Sequence, residues 1–395
     1  MFLAWFFSLI LGLVWPEGYL AFFLSIITLL YVGFIVCERS NVHMMFFLGY
    51  CTFIFFPALL NWYYLGLDFS LYFYTSFIAV FFLFLTRKTL VRDFFDYGGA
   101  LRVIFLVCSL LMLAFIFLGM VQLVAASFAF FIVLMSMSFR QGYLKNNAYF
   151  FLCFIVVFCV YSLLLWSGFG RTVVIGWVLL ASLQFAYSIN FHVNKYVFGL
   201  IPGLAAGLLS SRDFLQLKFT GFEEALYDSA YGPYRLASSF IDQFNQRGYD
   251  LSGFLDQVAF TFFVFVPRAI WPDKPYGFGF EYTVRHLDAR LVDAGHSIAS
   301  TLIGDHIYYL GYSGLVTSLF MFSIIAFGVN FLYKIKGLNG NGVLVFSASM
   351  MVLVWGGMTS FSARVALPSM VFVLLFILLR RFLTRRIKIV PDYAC

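Results

Sequence analysis

The sequence predicts an all-α, polytopic integral membrane protein, and three features of its 395 residues support that prediction. Hydrophobic residues make up 63% of the chain, charged residues make up 11%, and the mean hydropathy is +0.94. A soluble domain uses about 25% charged residues to cover its surface. Apolar runs long enough to cross a bilayer recur along the chain, and basic residues concentrate beside them. This composition excludes a soluble multidomain protein.

Twelve spans are predicted, because a transmembrane helix needs about 20 apolar residues. Three lie within residues 306–395, and nine form an N-terminal bundle over residues 1–209. The first run has no basic n-region and no small-residue cleavage site, so we interpret it as a retained helix. The runs are Phe2–Trp15, Tyr19–Cys37, Met44–Tyr64, Phe69–Leu85, Leu101–Leu118, Val121–Met137, Ala148–Trp166, Thr172–Tyr187, Tyr196–Leu209, Ile307–Tyr333, Val343–Thr359 and Val365–Leu379.

The distribution of basic residues predicts that both termini are cytoplasmic. With the N-terminus inside, the inner loops and the C-terminal tail hold 15 of the 25 Lys and Arg residues. The short outer loops hold only Arg171 and Arg364. This asymmetry follows the positive-inside rule. The net charge of +7 therefore reflects membrane orientation, and no nucleic-acid partner is predicted.

Residues 210–305 form a segment of different character, with 12 of the 18 acidic residues and eight basic ones. The predicted spans on either side of this segment end at the outer face of the membrane. The segment is therefore predicted to face outward. Its apolar run Val258–Val266 is too short to span a bilayer and stops at Pro267. We therefore predict that Gln257–Trp271 forms a helix that dips into the outer face of the membrane or lies on it. Irregular backbone at that depth must line a cavity or be covered by protein. The active or binding site is therefore predicted in this region.

Five cationic side chains at the outer face are candidate binding groups. A guanidinium presents a planar fork of donors that suits phosphate oxygens. Several arginines that converge at the outer interface would suit a pyrophosphate whose lipid tail stays in the bilayer. Arginines at helix ends also commonly extend to the interface without binding a ligand, and a loop lysine is commonly solvated. The five are Arg171, Arg235, Arg268, Lys274 and Arg364.

His296 and Asp305 are the candidate catalytic residues. Deprotonating a sugar hydroxyl needs a carboxylate or an imidazole within hydrogen-bond reach. His296 and the pair Asp305-His306 supply those groups, although each also fits an ordinary loop or capping residue. The spacing of His286, His296 and His306 matches no compact ligand pattern, and no CxxC or HExxH pattern occurs. No metal and no other cofactor is predicted.

The string FVPRAIWPDKP, residues 265–275, resembles the outer-loop motif of bacterial oligosaccharide repeat-unit polymerases, the Wzy-type O-antigen polymerases. Residues 295–297 and 304–314 resemble the stretch that leads into the next helix in that family. Gly170-Arg171-Thr172 resembles its motif of a small residue before arginine at a periplasmic helix mouth. About a dozen spans with one large late periplasmic loop also match. Phe169 is a departure, because serine or glycine is common there.

The resemblance implies a metal-independent glycosyltransferase of the bacterial inner membrane whose active site faces the periplasm. Such an enzyme transfers a growing glycan from undecaprenyl pyrophosphate to a lipid-linked repeat unit. Arginines would stabilise the negative charge that develops on the leaving pyrophosphate. The implied partners are the lipid-linked donor and acceptor, membrane lipid and a chain-length-determining co-polymerase.

Three other function classes are alternatives. An O-antigen ligase uses the same donor but transfers it to lipid A-core, and the string at residues 265–275 favours the polymerase. Polyprenyl-phosphate-sugar transferases typically carry paired acids and a metal in the first outer loop, which here is only Pro16-Glu17-Gly18. A lipid-linked oligosaccharide flippase should lack a large outer segment and carry charges deep within its spans. This sequence meets neither expectation.

Overall fold

The computed structural model describes residues 22–25, 41–65, 70–86, 232–264, 268–287, 298–334 and 341–363, with isolated positions 10, 110, 176, 179, 180, 266, 290 and 378. Every regular element in these ranges is a helix, which confirms the all-helical prediction there. Two helical stretches, Val42–Asn61 and Gly304–Lys334, are long and apolar enough to cross a membrane. Most of the spans predicted before residue 210, and the last one, lie outside the described residues.

Helices α1 to α3 occur where the third and fourth spans were predicted. Helix α1 (Asn41–Tyr50) continues through a π-helical turn (Cys51–Phe55) into α2 (Phe56–Leu65), and α3 covers Ser70–Leu85. Pro57 has no N–H to donate to the preceding turn, which accounts for the π-helical irregularity just before it. The two apolar runs predicted the bounds of these helices closely, because length and hydropathy alone define them.

Four short helices build the described part of the predicted outer segment. They pack through an aromatic cluster in which the Phe240 ring lies 5.4–5.5 Å from the rings of Phe278, Tyr282 and Tyr308. These rings are buried and belong to the same apolar core as the buried residues of α1, α3 and α10. The helices are α4 (Gly232–Ser238), α5 (Phe240–Arg247), α6 (Leu251–Phe263) and α7 (Phe278–His286).

Helix α6 corrects the predicted bounds of the dipping helix. Gln257–Trp271 was predicted, whereas the helix begins at Leu251 and ends at Phe263. Asp250 fixes its start, because the Asp250 carboxylate accepts a hydrogen bond from the Gly253 N–H at 2.9 Å. The helix ends before Pro267, which cannot continue an α-helix without losing a backbone hydrogen bond. Its 13 residues cover about 20 Å, less than a bilayer core of about 30 Å.

The predicted span Ile307–Tyr333 is divided into two helices. Helix α8 (Gly304–Leu310) is followed by a 3₁₀ turn (Gly311–Ser313) and then by α9 (Gly314–Lys334). Gly311 has φ +56°, and a Cβ at this position would overlap the Phe244 ring. The predicted span lies within the helical stretch Gly304–Lys334, but the turn at Gly311, where α5 packs closely and glycine is favoured, was not predicted.

Helix α9 presents an exposed apolar stripe to its surroundings. The members recur every three or four residues, so they lie on one face of the helix. Such a face is typical of a helix that contacts lipid or other apolar helices. The stripe consists of Val316, Phe320, Ile324, Phe327 and Phe331, which are 38–73% exposed.

Helix α10 (Asn341–Phe361) packs against α1 and contains a kink near its end. A Cβ on Gly49 of α1 would lie 3.2 Å from the Met351 Cα, so the two backbones approach closely. Gly357 has φ +68° and ψ −166°, which interrupts the helical conformation. The predicted bounds Val343–Thr359 are close to those observed, but the kink was not predicted.

Candidate functional site

A partly open cavity lies among α6, α8, α9 and α10. Its interior volume is about 10 Å³, which is room for about one water molecule. Its apolar wall consists of Phe254, Val258, Tyr309, Met321 and Met358. Its polar wall consists of Gln257, Thr261, Asp305, His306 and Thr359. The predicted catalytic residue Asp305 therefore lies in a cavity wall together with polar groups from two other helices.

Asp305 is a buried carboxylate in the first turn of α8. It is 3% exposed, and one carboxylate oxygen accepts a hydrogen bond from the His306 N–H at 3.1 Å. Within the described ranges, no lysine or arginine forms an ion pair with it. Burying a carboxylate without a cation is unfavourable, and such groups occur more often at functional sites than elsewhere.

His306 supplies a second buried titratable group beside Asp305. It is 3% exposed, and its Nδ1 lies 2.8 Å from the Thr317 hydroxyl. That hydroxyl donates its hydrogen to the Gly314 carbonyl at 3.0 Å, so its oxygen accepts from Nδ1. We therefore assign the proton of the neutral imidazole to Nδ1, which leaves a lone pair on Nε2.

The kink of α10 lies directly against Asp305. The Thr301 N–H donates to the Trp355 carbonyl, and the Ser300 hydroxyl donates to the Gly356 carbonyl. These bonds satisfy carbonyls that the interrupted helix leaves free. A Cβ on Gly357 would lie 3.2 Å from Asp305 Oδ1. Glycine at the kink therefore lets α10 approach the carboxylate.

A chain of polar contacts fixes Gln257 on α6. Its amide nitrogen donates to the Tyr276 carbonyl at 3.0 Å and to the Glu281 carboxylate. Arg285 pairs with Glu281 at 2.6 Å and with Asp250, the N-cap of α6, at 3.3 Å. Burial raises the pKa of Glu281 above its usual range, although Arg285 acts in the opposite direction. Helix α7 thus positions one cavity-facing side chain of α6.

The loop that follows α6 brings together two of the predicted cationic residues. The Arg268 guanidinium donates to the Lys274 carbonyl at 2.7 Å and lies 4.2 Å above the Tyr276 ring. The Lys274 ammonium donates to the carbonyls of Val264 and Val266. Burial, together with the nearby Arg268 charge, lowers the pKa of Lys274. Lys274 thus caps carbonyls at the end of α6, while Arg268 stays exposed to the surroundings.

Of the other predicted cationic residues, only Arg235 lies within the described residues. Arg235 is exposed on α4, which packs mainly against α2, α3, α5 and α8. Arg171, Arg364 and the predicted base His296 lie outside the described residues. The end of α10 does reach α6, because the Ser362 hydroxyl donates to the Thr261 carbonyl.

Sequence reasoning missed Gln257 as a cavity residue and missed the Glu281–Arg285 pair that holds it in place. One signal was available. Gln257 and Thr261 are four residues apart, which places two polar side chains on one face of an otherwise apolar helix. The partner helix α7 gave no comparable signal, because Glu281 and Arg285 read as an ordinary surface pair at i, i+4 spacing.

Comparisons of this chain with protein-family models, with curated proteins and with solved structures gave no match.

Proposed function

We propose that this chain is a metal-independent polymerase of lipid-linked oligosaccharide repeat units. It takes a growing glycan from undecaprenyl pyrophosphate and transfers it to a lipid-linked repeat unit at the periplasmic face of the bacterial inner membrane. The observation that carries the proposal is the buried carboxylate of Asp305 in a cavity whose wall helix, α6, ends in the cationic loop. The alternative base remains His296.

The proposed step needs a proton acceptor and a stabilised leaving group. The acceptor hydroxyl donates its proton to Asp305 while its oxygen bonds to the anomeric carbon of the donor sugar. The bond between that carbon and the pyrophosphate oxygen breaks, and the electron pair stays on the pyrophosphate. Fixed cations lower the free energy of this charge without a metal.

Arg268 is the cation best placed to bind the pyrophosphate. Two carbonyls and the Tyr276 ring orient its guanidinium, and the residue remains exposed. Arg171, Arg235 and Arg364 are proposed as the other pyrophosphate-binding residues. Lys274 contributes by holding the loop in shape.

The proposed topology has about twelve spans, with both termini cytoplasmic and residues 210–305 periplasmic. The two described helices of spanning length and the apolar stripe of α9 support a membrane location. The donor and acceptor lipid tails would lie beside such helices, and a chain-length-determining co-polymerase is a further expected partner.

Reconstitution tests the proposed reaction. The purified protein, given only lipid-linked repeat units in liposomes, should build a ladder of longer glycans without nucleotide sugar. EDTA should leave the ladder unchanged, because the proposed charge stabilisation comes from arginines. Asp305→Asn should abolish it. If EDTA abolishes the ladder, the proposed reaction is kept but the metal-independent mechanism is rejected. If the protein forms no ladder under any condition, the polymerase proposal is rejected.

A further inference from the structure

The two titratable residues of the cavity wall each keep one side-chain atom that accepts no hydrogen bond from the described residues. The His306 N–H bonds to one Asp305 oxygen, and no donor bonds to the other, Oδ2. The His306 Nε2 atom has a lone pair, because the ring proton lies on Nδ1, which bonds to Thr317. The unpartnered polar atoms that solvent cannot reach include Gln257 Oε1 but neither of these two. Both atoms therefore offer a lone pair to the cavity that their residues line.

The space beside these two atoms has the size of one water molecule. Its interior volume of about 10 Å³ is close to the smallest that holds a water and is too small for a sugar ring. A water inside a protein needs about two to four polar partners. Asp305 and His306 supply two acceptors, and a water has two hydrogens to donate. An apolar occupant would leave both acceptors without a donor, which is unfavourable.

A metal ion fits these two atoms less well than water does. Within the residues that the structure describes, no group of three or more His, Cys, Asp and Glu side chains is arranged to hold one. Hard cations such as Mg²⁺ and Ca²⁺ take oxygen ligands, and one of the two atoms here is an imidazole nitrogen. A neutral occupant with hydrogens to donate suits both atoms.

We propose that one water molecule occupies this cavity and carries the proton of the acceptor hydroxyl to Asp305, with His306 as its positioning residue. The water donates one hydrogen to Asp305 and the other to His306 Nε2, so its lone pairs are left to accept from the hydroxyl. This inference rests on the proposed function, because the hydroxyl belongs to the acceptor of that transfer. It explains how a carboxylate that is only 3% exposed acts as a base, since a general base takes its proton directly or through one water.

The relay moves two protons and consumes no water. The acceptor hydroxyl gives its proton to the water while its oxygen bonds to the anomeric carbon of the donor sugar. The water gives a different proton to Asp305 and is thereby regenerated. The bond between the anomeric carbon and the pyrophosphate oxygen breaks, and its electron pair stays on the pyrophosphate. His306 neither gains nor loses a proton, and it acts by holding the water in one orientation.

Infrared difference spectroscopy tests the water site without any substrate. The protein in liposomes is titrated in ordinary water and in H₂¹⁸O, and the bands of Asp305 are those that Asp305→Asn removes. In the wild type, a water O–H band that shifts in H₂¹⁸O should accompany them. His306→Phe should remove this band, whereas His306→Gln, whose amide oxygen accepts a hydrogen bond, should retain it. His286→Phe is the matched control, because His286 is an exposed histidine of α7 that bonds to Tyr308, and the band should persist there.

The rate of ladder formation tests the relay. His306→Phe should lower kcat by about 2- to 10-fold, the range of one neutral hydrogen bond, and His306→Gln should restore part of the rate. The inference fails if Asp305 titrates in the wild type without a band that shifts in H₂¹⁸O, or if that band requires Na⁺. It also fails if the band persists in His306→Phe, because any loss of kcat is then structural, or if His306→Phe keeps the wild-type kcat. A wild-type ladder keeps the polymerase proposal in each of these cases, whereas a wild type that shows the band but builds no ladder overturns the polymerase and the relay.

Discussion

The Thr301 N–H donates a hydrogen bond of 3.0 Å to the Trp355 carbonyl, across the kink that interrupts α10. Thr301 has φ +60°, an uncommon conformation for a β-branched residue, and Gly357 opposite it has φ +68°. Two unusual backbone conformations thus meet beside Asp305. Strained backbone of this kind persists where the surrounding structure fixes it and is frequent at functional sites.

Gly357→Ala should destabilise the protein by about 1–3 kcal/mol, because an L side chain rarely adopts φ +68° with an extended ψ. The new Cβ would also lie 2.7 Å from the Ser300 hydroxyl. Thermal unfolding in detergent measures the change. Gly328→Ala on α9 is the control, since a Cβ there meets no atom within 4 Å. Equal melting temperatures for the two variants would show that the kink is not constrained.

Replacing Arg268 should distinguish the effect of its positive charge from the effect of its bidentate guanidinium. Arg268→Ala should abolish polymer formation while the protein remains in the membrane, and Arg268→Lys should restore only part of it, because lysine lacks the bidentate fork. Lys274→Met should chiefly lower the melting temperature, since the ammonium caps two carbonyls at the end of α6. Gel analysis of surface glycan and immunoblots of membranes measure both effects. Full activity of Arg268→Lys would mean that a simple positive charge suffices.

Stability should depend on pH through Glu281. Its pKa is raised in the folded protein by burial, so the folded state binds the proton more readily than the unfolded state. Its contribution to stability is therefore present below its ordinary pKa of 4.5 and is lost as pH rises through the raised value. Glu281→Gln should remove this part of the pH dependence of the melting temperature. Asp242→Asn, an exposed carboxylate on α5, should retain it, and identical profiles for the two variants would refute the role of Glu281.

The sequence predicted those features of the fold that depend on local composition. Apolar length predicted the helices that the structure gives as Asn41–Leu65 and Ser70–Leu85, and Pro267 signalled where α6 had to stop. The turn at Gly311 and the kink at Gly357 could not be predicted, because each depends on close packing by a distant segment, Phe244 and residues 300–305. The carboxylate of Asp305 was identified by residue type, but the place of Gln257 in the same cavity wall becomes visible only when α6, α7 and α8 are placed together.

Reporter fusions test the proposed outer location of the segment that contains α5 and α6. Fusions at Asn245 and at Asp288 should both report a periplasmic position, because α6 between them has 13 residues and is too short to cross. A fusion at Lys336, after α9, should report the cytoplasm and serves as the control. A cytoplasmic signal at Asp288 would mean that the chain crosses between the two sites, and it would overturn the twelve-span topology.

Deletion of the gene should distinguish a polymerase from a ligase and from a flippase by the glycan that remains. Without a polymerase, the flippase and ligase still act, so the strain should display lipopolysaccharide capped with a single repeat unit. Without a ligase, long polymer should accumulate on the lipid carrier, and without a flippase no surface glycan should form. Gel electrophoresis of lipopolysaccharide and mass spectrometry of the extracted carrier lipids measure these products.

A point variant makes the deletion test more specific, because a deletion also removes any structural contribution of the protein to a larger assembly. Asp305→Asn leaves the helices and the cationic loop in place, so it should give the same single-repeat product as the deletion while a co-polymerase still has its partner. The wild-type gene supplied in trans should restore the long polymer. Long polymer on the carrier lipid in the Asp305→Asn strain would instead indicate a ligase, since chain growth would then have proceeded without this carboxylate.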